Sequence, residues 1–309
     1  MSVIAGGVAF LSALSFAGST SLQHMAAERA PQSVRGPRLV RHLVRRPLWL
    51  LGQALSATGL ALHATALHLG SIALVQPIVI SGVVLAVPVR SALNRRWPWP
   101  RELLAVAITA VGLTVFLVAS DPTAPTIAPL EAPAMVICVL GAVVAAAAGI
   151  IARLVRDAAD SAFWLGIASG ALFGVVAGLI KGVLYVQTHG GWIAALSSWM
   201  TWTLIGLGAI AMINNQHAYR RARLSASMPV LNVVDGVVAL VFGFVAFHEV
   251  PRHTPFFATI EVLAFATIAA GLFVVAGLED QRASLAHAAP IVTSGSARPG
   301  DTGAHGMLD

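Results

Sequence analysis

Asp235 lies nine residues into an apolar run near 226–247, which places it about 14 Å deep in a helix rising about 1.5 Å per residue. An ionised acid at that depth in a bilayer costs about 2.5 to 3.5 kcal/mol, so it is expected to face the protein interior or a wet cavity. Proton coupling and cation ligation both suit such a group, and so does a structural hydrogen bond to a neighbouring helix. Asn232 and Gly236 fall near it on the helix surface, and Met228 lies about two turns away. Other polar residues interrupt apolar runs in the same way: Gln23 and His24, His63 and His68, Gln76 beside Pro77, and Asn214, Asn215, Gln216 and His217. Each alone is more often a hydrogen bond between helices, whereas Asp235, His63, Asn215, Asn232 and Gln76 together form a candidate substrate-binding set.

Lys181 is the single lysine of the chain and sits about five residues from the end of an apolar run, shallow enough for its aliphatic stem to carry the ammonium to the interface. Glu261 lies about six residues into the run at 255–277, at similar depth from the same side. A Lys181 with Glu261 ion pair acting as an outer gate is the functional expectation, and simple snorkelling is the structural one. Gly166, Gly170, Gly174, Gly178 and Gly182 repeat every four residues on one helix face. Small residues at that spacing let backbones approach closely, which serves packing within a bundle or a homodimer surface.

Soluble enzyme chemistry is not expected. His248-Glu249-Val250-Pro251-Arg252-His253 has its second histidine one position late for a zinc protease helix, and Pro251 breaks the helix that would align both ligands. Neither a P-loop nor a G-x-S-x-G nucleophile elbow is present. The lone Cys138 excludes an intramolecular disulfide and a cysteine metal cluster. No cofactor and no resident metal are expected.

The elements that position these residues are apolar spans. Hydrophobic residues make up 57% of the chain and charged ones 10%, against roughly 25% charged in soluble domains. Mean hydropathy is +0.82. Runs near 3–25, 48–69, 72–92, 102–119, 132–152, 162–186, 200–218, 226–247 and 255–277 are each about long enough to cross a ~30 Å core as a helix, which predicts nine spans. Of the 19 Lys and Arg, all but Lys181 and Arg252 fall in or beside alternate gaps or in the C-terminal tail. Basic short loops stay cytoplasmic, so the N-terminus is expected outside and the C-terminus in the cytoplasm of a multi-pass cell-membrane protein. The pI near 10.9 then points to anionic membrane lipids as partners and not to nucleic acid.

Adding 152 to the residue number lays spans one to four on spans six to nine, carrying Gly18 onto Gly170, Pro77 onto Pro229 and position 63 onto 215. Matched spans are five apart and so cross in opposite directions, the inverted-topology arrangement of many secondary transporters, with a site near the midplane. The expected organisation is a transmembrane domain over 1–278 and a disordered cytoplasmic tail over 279–309. Within the former, repeat one covers 3–119, a linking helix 132–152 and repeat two 162–277.

Several segments together resemble the drug/metabolite transporter superfamily, most closely its NIPA-type branch of magnesium transporters. They are Ala17-Gly18-Ser19, the run from Leu69 through Gln76-Pro77-Ile78, Ile180-Lys181-Gly182-Val183, Asn215-Gln216-His217-Ala218-Tyr219 leading to Met228-Pro229-Val230, and His248-Glu249. The resemblance implies an all-α bundle of two inverted halves that moves a small metabolite, drug-like cation or divalent metal by alternating access. Leu60 and His63 stand where the NIPA pattern has an acidic residue and Asn, which removes a carboxylate that magnesium would use. The rival expectation is a non-transporting membrane scaffold or assembly protein whose polar residues only join helices.

Overall fold

The computed structural model describes residues 2–28, 44–93, 97, 99–120, 128–221, 224–249 and 255–288. All regular structure among them is α-helical: α1 Ser2–Glu28, α2 Pro47–Leu69, α3 Ile72–Leu93, α4 Pro100–Ser120, α5 Glu131–Leu154, α6 Ala158–Ser197, α7 Trp199–Arg221, α8 Leu224–Phe247 and α9 Pro255–Ala288. Helices are the natural answer to such apolar sequence, because a bilayer offers no water to satisfy backbone N–H and C=O groups. Proline opens α2, α4 and α9, where its missing N–H has no intrahelical partner to lose.

Among the described residues seven helices are long and apolar enough to cross a membrane: α1, α2, α4, α5, α6, α8 and α9. The chain is therefore a polytopic membrane helix bundle. In α3 the described apolar stretch is the shorter Ile72–Gly82, and α7 carries Asn214 to His217 in its C-terminal third. The outer faces fit a hydrocarbon surrounding: Val136, Val139, Leu140 and Val143 of α5 and Val262 and Leu263 of α9 are all more than half exposed.

Packing falls into two similar clusters. α1 lies against α2 and α3, and α6 lies against α7 and α8. α3 meets α8, α4 lies along α9, and α5 leans on α6. One core joins the clusters, running from Ala5, Ala9, Ala66, Leu67 and Ile72 through Val175 and Leu179 to Phe242 and Phe247.

Two helices outrun their expected spans. α6 continues past 186 to Ser197, bending at Gly191, whose φ of 78° and ψ of −179° interrupt the helix. Hydropathy falls after Val186 without a helix breaker before the Gly190-Gly191 pair, so loss of apolar character marks departure from the hydrocarbon and not the end of the helix. Likewise α9 continues to Ala288, so the disordered tail expected from 279 is helical over its first ten residues; residues 289–309 lie outside the described ones. The side chains of Gln23, His24 and Gln216, and residues 250–254 with Arg252 and His253, also lie outside them.

Candidate functional site

The α3–α8 crossing brings together two residues that the sequence placed in one candidate set. Gln76 Nε2 donates a 2.9 Å hydrogen bond to Asp235 Oδ1, across 159 residues of chain. Asp235 is 11 residues after Leu224 and 12 before Phe247, so it sits about 17 to 18 Å from either end of α8, at mid-depth. Gln76 is 2% exposed, and its Oε1 accepts no hydrogen bond. Asp235 is half-buried, and among the described residues Gln76 is its one side-chain hydrogen-bond partner. Asn232, one turn earlier on α8, spends its amide on Met228 O at 2.7 Å, beside Pro229.

The glycine stripe of α6 holds the Asp235 backbone. A Cβ at Gly174 would lie 2.6 Å from Asp235 O, and one at Gly170 would lie 3.1 Å from Asp235 N. Gly166 abuts Ser227 and Val230, Gly178 abuts the Phe242 ring, and Gly182 instead faces Met200. Four of the five glycines thus serve the α6–α8 contact, with α8 seated so close that only hydrogen fits between the backbones.

A second polar cluster lies near the α2–α3 turn. α3 begins deep: Ile72 meets Gly243, one turn before the end of α8, and a Cβ at Gly243 would come within 3.2 Å of Ile72 Cβ. A helix starting there would leave its first N–H groups without partners. Ser71 Oγ accepts from Leu74 N at 3.1 Å, and Glu249 Oε2 accepts from Ile72 N at 2.8 Å and Ala73 N at 3.4 Å. Glu249 reaches them because the chain turns back after α8: His248 adopts a left-handed φ of 52°, and Glu249 N donates to Gly243 O at 3.1 Å. Its other oxygen, Oε1, pairs with Lys181, which also donates to Gly70 O at 3.1 Å and lies 5.2 Å from the Phe247 ring centroid. The negative carboxylate on the positive end of α3 and the ammonium beside it satisfy each other's charge.

This cluster corrects the expected gate. Lys181 is buried and pairs with Glu249, not Glu261, so it does not snorkel. Glu261 is buried in α9, a helix whose main neighbour is α4. The reason is geometric: matched depth does not bring α6 and α9 together, whereas the end of α8 packs on α6. His63 and Asn215 are likewise not joined. His63 is buried on α2 with Nδ1 unpartnered, while Asn215 is half-buried on α7, and α2 packs on α1, α6 and α3 instead. Glu249 is the functional candidate that sequence reasoning passed over as a site. Its signal was faint: an acid next to a predicted helix end, in a chain with one lysine inside a span.

The two clusters are linked through α3. Ile72 and Gln76 are four residues apart, so the Lys181–Glu249 joint stands about 6 Å along the helix from the Gln76–Asp235 pair.

No protein-family model matches the chain, and no solved structure matches it. An uncharacterized protein of Corynebacterium glutamicum is 25% identical over 243 residues, covering 78% of this chain and 83% of its own length.

Proposed function

We propose that the chain is a secondary transporter that moves a small solute across the cell membrane by alternating access between two inverted halves, α1–α4 and α6–α9, joined by α5. The Gln76–Asp235 hydrogen bond carries the reading: it joins an acid near the middle of α8 to an amide in the first turns of α3, on the two helices where the halves meet. Polar groups at that depth are expensive and mark solute pathways. The paired packing supports the inverted repeat, since α1 on α2 and α3 is repeated by α6 on α7 and α8. So does proline placement, as Pro77 and Pro229 are each the sixth residue of their helices. The membership proposed is the drug/metabolite transporter superfamily, with nine spans, the N-terminus outside and the C-terminus cytoplasmic.

In this account Gln76 and Asp235 bind the solute, Asn232 shapes the same face of α8, and Lys181 with Glu249 closes the outer end. The buried pair would hold that end closed, because it bridges the α2–α3 turn of one half to α6 and the end of α8 in the other. Opening requires the pair to part.

A thermal-unfolding screen of the purified protein against metabolites, organic cations and divalent metals tests the reading. A solute held by the folded state at 100 times its Kd adds about 2.7 kcal/mol of stability. One or more solutes are expected to stabilise the wild type and not Asp235→Asn; a scaffold would be stabilised by none. Orientation is separately checkable because Cys138 is the single cysteine. In a Cys138→Ala background, His189→Cys is expected to react with an impermeant maleimide in intact cells and Asp157→Cys only after permeabilisation. The reverse labelling would invert the topology.

A further inference from the structure

Resting on that reading, we infer that the Gln76–Asp235 site takes a monovalent ammonium ligand bearing N–H donors, and that it discriminates against quaternary ammonium ions of the same charge. The amide is oriented by the acid: a carboxylate accepts, so Gln76 turns its NH2 group to Asp235 Oδ1. Its carbonyl oxygen is thereby directed away from that bond and, 2% exposed as the residue is, meets no donor. Nearly all buried polar atoms in native structures are partnered, so a buried acceptor beside a half-buried carboxylate near the middle of α8 is suited to a donor from outside the chain.

The charge of the site sets the ligand's charge. Lys181 is committed to Glu249 and Gly70, and Asp235 has Gln76 as its partner. The site therefore offers a single carboxylate with neutral amide oxygens. Among the described residues no three His, Cys, Asp or Glu converge as a metal cluster would require, and a hard divalent ion wants six or more oxygens. A monocation balances one carboxylate. A protonated primary amine has three N–H groups, enough to reach Asp235 and Gln76 Oε1 together. A trimethylammonium group carries the same charge with no N–H, and would bury the Gln76 carbonyl unpaired. Sites built around a hydrogen bond reject analogues that lack it far more strongly than apolar pockets reject a change of size.

The test uses the full chain in detergent with matched pairs: ethanolamine against choline, and 2-phenylethylammonium against its N,N,N-trimethyl derivative. Calorimetric titration is expected to show at least one primary ammonium compound bound roughly tenfold or more tighter than its trimethylated partner. In Gln76→Met that preference is expected to fall to near unity, and in Asp235→Asn both members lose affinity. Equal binding, preference for the trimethyl member, or binding of no primary ammonium in a panel from small to aromatic overturns the inference. The wild-type pairs decide the question even if Gln76→Met fails to fold. Asp235-dependent flux of a neutral or anionic solute would defeat this inference and leave transport standing; selective ammonium binding without flux would do the reverse.

Discussion

Replacing Lys181 with methionine is expected to destabilise the folded protein by about 3 to 5 kcal/mol, the range for breaking a buried ion pair by removing one partner. The side chains of Lys181 and Glu249 are 10% and 2% exposed, so the charge left behind finds little water. Glu249→Ala is expected to cost at least as much, because it also strips Ile72 N and Ala73 N of their acceptor. Glu249→Gln keeps an oxygen for those N–H groups and is expected to be milder. The double variant Lys181→Met with Glu249→Gln should lose clearly less than the sum of its single changes, since it buries no unpaired charge. Thermal unfolding in detergent measures all four. Strict additivity would show that the two residues do not act as a unit.

The second large effect concerns Asp235. Asn at this position is nearly isosteric and still offers an oxygen to Gln76 Nε2, so folding and the α3–α8 contact should survive. The carboxylate's charge is lost, and with it the group that balances a cationic solute or carries a coupled proton. Flux in proteoliposomes is expected to fall at least about a hundredfold, in the range of removing one buried charged contact. Asp235→Glu keeps the charge but adds a methylene at a crowded crossing, where a Cβ on neighbouring Gly236 would meet Ile80 of α3 and lie 3.0 Å from Phe265 of α9. It is expected to retain partial flux. Equal loss in both variants, with unfolding to match, would assign Asp235 to structure alone.

Much of this arrangement was written in local sequence. The contrast of one acid against the apolar residues around it located Asp235, and the same contrast singled out Gln76 and Lys181. The four-residue glycine period announced the face on which α6 meets α8. Pairings were harder to read because they depend on how distant helices cross. Gln76 and Asp235 could be set in one group but not bonded, as nothing local ties residues 159 apart. Glu249 was illegible for a subtler reason: its role arises because α3 starts a turn below the end of α8, which leaves orphan N–H groups 177 residues away for it to cap. Lys181 showed where a buried charge was needed and not what would answer it. Depth along the membrane normal, the one coordinate that sequence supplied, proposed Glu261; lateral packing supplied Glu249 instead.

The most direct measurement is solute counterflow. Liposomes holding the purified protein and preloaded with millimolar unlabelled solute, chosen from those that stabilise the wild type, are diluted into trace labelled solute. A carrier with alternating access exchanges the two, so transient accumulation of label above equilibrium is predicted for the wild type and not for Asp235→Asn. Simple equilibration without overshoot, or an overshoot that Asp235→Asn leaves unchanged, would contradict the account.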